Sequence, residues 1–321
     1  MPTRQKIWEL DPSVDPEASR HEGLLQRQPE KYADMVHSIT AFGIYLIDRR
    51  GCIQSWNRGA EIITGLSRAE VIGKPYDMLF PQSAVHAGKP RKTLEFARTN
   101  SHCREEQVRR RNNGEEFLAL ASIDTVRSEA GELQGFVEIV QDITEVKQRE
   151  DRLYRQATRD EPTGLFNRGH FIEMASLEIE RARRFAEPVS LILLDIDHLR
   201  RINDTYGHET GDRVISALAK TCLANARKID VVGRLGGEEF AIALPRANKQ
   251  PAMEMAQRLR QALSQQRIQI GGGREIAFTV SMGVAALRQT TRDLTEMMRN
   301  ADAALYKAKR DGRNRVEAWF E

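Results

Sequence analysis

Cysteine is scarce in this chain of 321 residues. Cys52, Cys103 and Cys222 are odd in number and lack metal-ligand spacing, which argues against a disulfide framework or a zinc site. Long apolar runs are missing as well. Leu191–Leu194 and Val280–Leu287 fall far short of the roughly 18–20 residues that cross a bilayer, so no membrane span is expected. The opening stretch MPTRQKIWELDPSVDPE has no apolar segment and carries acids early, unlike a secretory signal, and the expected location is cytoplasmic. Nor does one sign of charge prevail. Residues 1–150 hold 21 Lys and Arg against 23 Asp and Glu, and the remainder 28 against 23. Neither half therefore offers the dense basic face of a protein that binds duplex nucleic acid. What is present, 40 % hydrophobic and 30 % charged residues with 22 Gly and 11 Pro, describes a globular chain long enough for two domains.

Residues 1–28 are rich in proline and charge without periodicity and read as a flexible tail. The texture changes near Pro29. Ile44–Asp48 and Cys52–Trp56 are short apolar runs around Arg50-Gly51, a hairpin signal, and Asn57–Thr64 reads as a short helix. Further strands fit Arg104–Arg111, Glu116–Val126 and Leu133–Asp142, with Asn113-Gly114 as a strong hairpin marker. That makes five antiparallel strands with short helices inserted after the second. WNRGAEIITG at 56–65, EVIGKP at 70–75, RRRNNGEEF at 109–117 and GELQGFVEIVQDITE at 131–145 resemble, in this order, a PAS sensor domain. The domain is drawn at 29–142. Residues 143–158 follow as a helical linker, with Ile143, Val146, Leu153 and Ala157 spaced for pairing with a second copy.

The second half, 159–321, interleaves helices and strands. Arg168–Phe185, Asp212–Ala226, Pro251–Gln265 and Ala301–Lys309 read as helices. Val189–Ile196 is an apolar run suited to a central strand, Asp230–Leu235 and Glu239–Leu244 form a hairpin around Gly236-Gly237, and Phe278–Ala285 alternates as a strand. The fold class is α+β, with a central sheet surrounded by helices.

Asp195 and Asp197 stand at the end of the most apolar strand, where carboxylates are costly unless paired or liganded. Glu238 and Glu239 follow a glycine pair that leaves room for a ligand to approach the backbone. Taken singly, each is ordinary: Gly-Gly is a common turn, and acids at strand ends are commonly solvated. If the strands are neighbours, however, Asp195 and Glu238 converge, and paired carboxylates suit a hard cation that also touches phosphate.

The combination is less ordinary. ATRDEPTGLFNRGHF at 157–171, DIDHLRRINDTYGHETGD at 195–212, RKIDVVGRL at 227–235, GGEEF at 236–240 and ADAALYKAKRDGRNRV at 301–316 resemble the GGDEF diguanylate cyclases, here with a GGEEF signature and a nucleotidyl-cyclase-like fold. The resemblance implies that Asp195, Glu238 and the Ile196 carbonyl bind Mg²⁺, with Mn²⁺ as a substitute. It implies that Glu239 either assists the metal or takes a proton from the attacking 3′-hydroxyl, and that Gly236 and Gly237 let ribose and α-phosphate lie against the turn. Asn203 and Asp212 then read guanine, which has the paired N–H donors that adenine lacks, so GTP is preferred over ATP. The backbone amides of His198, Leu199 and Arg200, with Lys309 and Arg313, hold phosphates. Each domain holds one GTP, so two domains must face each other, and a homodimer through the PAS domain and linker helix is implied.

The resemblance further implies cyclic di-GMP as product and, through Arg227 and Asp230 of an RxxD motif with Arg258 as a second contact, as inhibitor. An isolated RxxD is otherwise a surface ion pair worth under about 1 kcal/mol. Glu161-Pro162 in the opening motif, and Leu199-Arg200 where Phe-Lys is commoner, depart from the family pattern. Two other functions stand beside this one: a receptor that binds cyclic di-GMP without turnover, against which the intact GGEEF, Asp195 and Lys309 argue, and a cyclase of relaxed base specificity, against which Asp212 argues. The ligand of the PAS domain stays unknown. His86 and His102 lack a haem-binding context, and Cys52 and Cys103 lack a flavin-thiol motif.

Overall fold

The computed structural model describes residues 29–270 and 273–319. The tail assigned to residues 1–28 lies outside the described residues. The chain divides into two compact units that meet between Arg149 and Glu150.

The first unit runs α1 (Pro29–Ser38), β1 (Gly43–Asp48), α2 (Arg58–Thr64), α3 (Arg68–Val71), a 3₁₀ turn at Tyr76–Leu79, α4 (Gln82–His86), α5 (Lys89–Asn100), β2 (His102–Arg110), β3 (Glu116–Arg127) and β4 (Leu133–Asp142). The antiparallel sheet has the order β1-β4-β3-β2. The strand expected over Cys52–Trp56 is reduced to isolated bridges at Cys52 and Ile53. The reason is local: the Asp48 carboxylate accepts from the backbone N–H of Arg50 and of Cys52, each at 2.8 Å, and closes the chain into a tight turn. Asn57 anchors the sequence that follows. Its Oδ1 caps α2 through Ala60 N and also accepts from Ile44 N, while its Nδ2 donates to Val36, Ile39 and Phe42 carbonyls.

The period-2 alternation of β1, β3 and β4 turns Tyr45, Ile47, Phe117, Ala119, Ile123, Phe136 and Val140 inward. Among them sits a buried ion pair. Arg109 Nη2 donates to Glu138 Oε1 and to the Tyr76 hydroxyl, and Tyr76 Oη donates to Glu138 Oε1 at 2.9 Å. The cavity beside Arg109 holds about 10 Å³, the room of a single water. His86 and His102 lie on the surface, the latter 2.7 Å from Asp124.

Helix α6 (Thr144–Thr158) spans the division. The second unit continues with α7 (Arg168–Phe185), β5 (Val189–Ile196), α8 (Leu199–Tyr206), α9 (His208–Asn225), β6 (Val231–Arg234), β7 (Glu239–Pro245), α10 (Lys249–Gln265), β8 (Ile268–Ile270), β9 (Arg274–Ile276), β10 (Val280–Ala286), α11 (Leu294–Arg310) and β11 (Val316–Ala318). Its main sheet has the order β11-β10-β5-β7-β6, with β8-β9 as a separate pair.

Every residue of β5 is buried, because the strand is central and covered on both faces. Ile192, Leu194 and Ile196 pack with Val214 and Leu218 of α9 and Leu259 of α10. Leu191 and Leu193 face the other way, onto Phe171 and Ile179 of α7 and Met297, Ala301 and Leu305 of α11. Helix α11 comes close because Gly283 of β10 has no side chain: a Cβ there would stand 2.0 Å from the Ala301 carbonyl oxygen and 2.4 Å from Leu305 N.

Gly283→Ala is therefore expected to cost about 3 kcal/mol or more, since backbone and not a flexible side chain must move. Urea unfolding of the full chain checks this through a lower midpoint for the second unit, at an unchanged slope.

Candidate functional site

The register of the sheet assembles the site. β5 and β7 are antiparallel, with Asp195 opposite Glu239, and Ile196 N donates to the Glu238 carbonyl at 3.2 Å. The end of the apolar strand therefore meets the glycine turn that precedes β7. A cleft of about 580 Å³ opens there, lined by Asp195, Gly237, Glu238 and Glu239 from the sheet and by Leu199, Arg200 and Asn203 from α8. Lys309 of α11 closes one side.

Asp195 is almost wholly buried, and burial pushes its carboxyl up to about 6. Lys309 opposes that rise, and the neighbouring Glu238 and Glu239 add to it. Lys309, expected at phosphates, here places Nζ 2.7 Å from Asp195 Oδ2. An ammonium beside a buried carboxylate relieves the cost of an unpaired charge. Glu238 is half-buried and Glu239 exposed. Gly236 lies under Glu239, whose Oε2 would be 3.2 Å from a Cβ at that position. Among the described residues no three His, Cys, Asp or Glu side chains are gathered into a metal cage. The donors assigned to a metal are the Asp195 and Glu238 carboxylates and the Ile196 carbonyl, with Glu239 as a third carboxylate in the cleft lining.

The expected phosphate and base contacts divide. His198 caps α8 with φ of 61°, and Leu199 and Arg200 begin the helix, whose first N–H groups have no partner within it. Asn203 lines the cleft, with its Oδ1 buried and lacking a hydrogen-bond partner. Gly211 of α9 lets it sit there: a Cβ on residue 211 would be 1.9 Å from that oxygen. Asp212 is exposed on α9, between His208 and Ile215, which do line the cleft, but is not itself in the lining. Arg313 is likewise exposed, outside the lining, in a left-handed turn after α11. Arg227 and Asp230 form a turn elsewhere, in which Arg227 N donates to Asp230 Oδ2 at 2.7 Å. Partial burial raises the Asp230 pKa. Arg258 is exposed on α10, in a groove that includes neither of them.

One group escaped the reading of the sequence. Arg234 donates from Nε to Gly236 O at 3.1 Å, from Nη2 to Gly237 O at 2.8 Å and from Nη1 to Asp160 Oδ1 at 3.1 Å. One planar guanidinium thus ties both carbonyls of the glycine turn to the loop that opens the unit. The signal was an Arg two positions before the glycine pair and an Asp in the opening motif, but 74 residues separate them. Asp197, singled out in the sequence together with Asp195, parts from it in the structure. It turns away from the cleft and is bound by Thr279, Ser281 and Asn314.

Comparison with known proteins bears on the family and the fold of both units. The family model described as diguanylate cyclase, GGDEF domain, matches residues 157–315, and a PAS domain model matches residues 41–145. Diguanylate cyclase DgcM of Escherichia coli strain K12 is 42 % identical over 180 residues, which cover 56 % of this chain and 43 % of that protein. The probable diguanylate cyclase DgcC of the same strain is 37 % identical over 177 residues, covering 55 % and 47 %. The chain thus spans about half the length of these two relatives. Among solved structures, the GGDEF domain of DgcB from Caulobacter crescentus in complex with c-di-GMP is 36 % identical, with a TM-score of 0.50. The match covers 51 % of this chain and 94 % of that one.

The raised Asp195 pKa has a stability consequence. An Asp in an unfolded chain titrates near 3.8 and this one near 6, so within that window the folded state keeps a proton that the unfolded state has lost. Stability contributed by this group is complete below the lower value and falls as pH rises to the upper one. Asp195→Asn, which stays neutral, is expected to raise stability at pH 8 by about 1–3 kcal/mol and to change it little at pH 4. Thermal melting of both proteins at the two pH values, without nucleotide, measures the difference.

Proposed function

The chain belongs to the GGDEF-domain diguanylate cyclases through residues 157–315, and we propose that it condenses two GTP into cyclic di-GMP with release of two pyrophosphates. The reading rests above all on the convergence of Asp195, Glu238, Glu239 and Lys309 on one cleft. In each of two steps a ribose 3′-oxygen bonds to the α-phosphorus of the other GTP, the α–β bridging P–O bond breaks, and pyrophosphate leaves. Glu239, the exposed carboxylate at the rim, accepts the 3′-hydroxyl proton.

Asp195, Glu238 and the Ile196 carbonyl are the groups to hold Mg²⁺ or Mn²⁺. The set is all hard oxygen and too small for a closed protein cage, which fits an ion shared with nucleotide phosphates. The ammonium already resting on Asp195 marks the same spot as favourable for positive charge. When bound, the ion lowers the pKa of the 3′-hydroxyl and offsets charge at the α-phosphate. The protein's own part is orientation. Arg234 fixes the glycine turn, Asn203 meets the guanine edge from the cleft wall, and Asp212 from the next helix accepts from a guanine N–H. The N-terminal amides of α8, Lys309 and Arg313 receive the phosphates.

The proposed boundaries are a PAS domain at 29–142, a linker at 143–158 and the cyclase domain at 159–321, acting in the cytoplasm as a homodimer. Support for dimerisation lies in exposed apolar side chains: Val146 and Leu153, seven apart on α6, and Leu46, Val108 and Ile139 on the outer face of the PAS sheet. Feedback is assigned to the Arg227–Asp230 turn, where Arg227 is exposed and its backbone N–H donates to the half-buried Asp230 carboxylate.

Incubation of the purified chain with GTP and Mg²⁺, read by chromatography and mass, is expected to give cyclic di-GMP, with none of the adenine analogue from ATP. Glu238→Ala is expected to lower turnover at least about a thousand-fold without unfolding the chain. Tight binding of added cyclic di-GMP without any product would make the chain a receptor instead. Arg227→Ala is expected to raise the product concentration needed for half-inhibition at least about ten-fold, and an unchanged inhibition curve removes the feedback assignment.

A further inference from the structure

We propose that Asp197 is a positioning residue: it fixes the turn at Gly312–Arg315 and thereby the direction from which Arg313, exposed outside the cleft lining, reaches nucleotide phosphate. The inference rests on the assignment of Arg313 to nucleotide phosphate made above.

Asp197 lies two residues beyond Asp195 and is 5 % exposed, yet the two carboxylates have opposite surroundings. Asp197 Oδ1 accepts from Ser281 Oγ at 2.7 Å. Its Oδ2 accepts from Thr279 Oγ1 at 2.7 Å and from the backbone N–H of Asn314 at 3.0 Å. Its own N–H donates to the Thr279 carbonyl at 2.9 Å. Both oxygens are thus taken by donors from β10 and from the last turn, and Asp197 is unsuited to serve as a second metal carboxylate.

What it binds is a strained piece of chain. Gly312, Arg313 and Asn314 have φ of 116°, 62° and 45° in succession. For Arg and Asn the left-handed region costs of order 1 kcal/mol or more per residue, and it persists only where surrounding bonds enforce it. Arg313 N donates to the Ala308 carbonyl and Arg260 Nη1 donates to Asn314 Oδ1, both at 3.0 Å, and Met282 N donates to the Arg315 carbonyl at 2.9 Å. Longer bonds run from Arg260 Nη1 to the Asn314 carbonyl at 3.4 Å and from Arg315 Nε to the Arg313 carbonyl at 3.3 Å. Asp197 supplies a charge-assisted bond to the backbone itself, the strongest kind available to a backbone N–H. The backbone angles of Arg313 decide where its guanidinium goes. Without the carboxylate, residues 313 and 314 relax towards ordinary conformations and carry the guanidinium off the phosphates. The same strand end would then supply a metal carboxylate at position 195 and, from position 197, the placement of a phosphate cation.

The test uses the full chain with Mg²⁺ and two probes, GMP and a GTP analogue carrying a methylene between its α- and β-phosphates. Dissociation constants are measured for Asp197→Asn, Arg313→Ala and the double variant. Each single variant is expected to weaken the analogue about ten-fold and to leave GMP within about two-fold, since only the outer phosphates lose a contact. The double variant is expected to be no more than about two-fold weaker than Arg313→Ala alone, because both remove one interaction. A carboxylate that only maintains the fold would weaken both probes alike or add fully to Arg313→Ala, and either result overturns the inference. If Arg313→Ala weakens the analogue and Asp197→Asn does not, Asp197 loses its role and the phosphate assignment stands. If Arg313→Ala itself leaves the preference for the analogue unchanged, the assignment and the inference fall together. Should Asp197→Asn fail to fold, Thr279→Val removes one donor from the same oxygen and is expected to weaken the analogue about three-fold with GMP unchanged; equal binding of the analogue there also counts against Asp197.

Discussion

A carboxylate at the end of a wholly apolar strand must find compensation, and the second unit is arranged around two such demands. β5 carries Asp195 and Asp197 out of a core in which every strand residue is buried. Side chains two apart in a strand share a face, yet the strand ends between them, and the left-handed residue 198 lets the chain turn away. One carboxylate receives three donors from its own domain and becomes part of the scaffold. The other receives a single ammonium and stays poised near 6. An incompletely compensated charge facing a cleft is what a ligand with its own positive charge can exploit. The structural and the proposed functional carboxylate differ only in how many donors the fold directs at them.

The first unit solves a similar problem differently. Arg109 and Glu138 face each other in the core with Tyr76 bridging them, and Arg109 Nε and Nη1 and Glu138 Oε2 have no partner. Burial alone pushes the Glu138 pKa up, and the adjacent guanidinium pulls it back. Such a pair rarely adds stability over an apolar filling. It does take up interior volume, and the cavity beside it holds about 10 Å³.

Much of the architecture was legible in the sequence because its cues are local. The apolar run 189–196 became β5 with unchanged ends, and the alternation at 133–142 became β4. Asn57 marked the start of α2 because a side-chain oxygen there caps the helix at short range. The strand expected at Cys52–Trp56 shrank to bridges because Asp48 captured the N–H groups of its turn, a choice that strand propensity does not express. Motif order brought Asp195, Glu238, Asn203 and Lys309 to one cleft. What pattern reading missed were contacts across long separations. Arg234 meets Asp160 74 residues away, and Asp197 meets Asn314 117 away. Neither pair has a periodicity, since each is set by which strands become neighbours. Asp212 and Arg313 fell outside the cleft lining for a related reason: spacing along a helix fixes a side, not the distance to an opposing wall.

The cost of burying the Asp195 charge has a bearing on descent. A site whose central carboxylate is kept charged at neutral pH against the preference of the fold is maintained only while turnover is selected. In a duplicated copy relieved of that selection, replacing Asp195 by a neutral residue is downhill in folding free energy, whereas replacing Asp197 strips three donors of their acceptor. Decay would therefore take the chemistry first and leave the scaffold. A lineage of this kind would pass readily from enzyme to stable, silent nucleotide receptor, with the second aspartate of the strand end kept long after the first has gone.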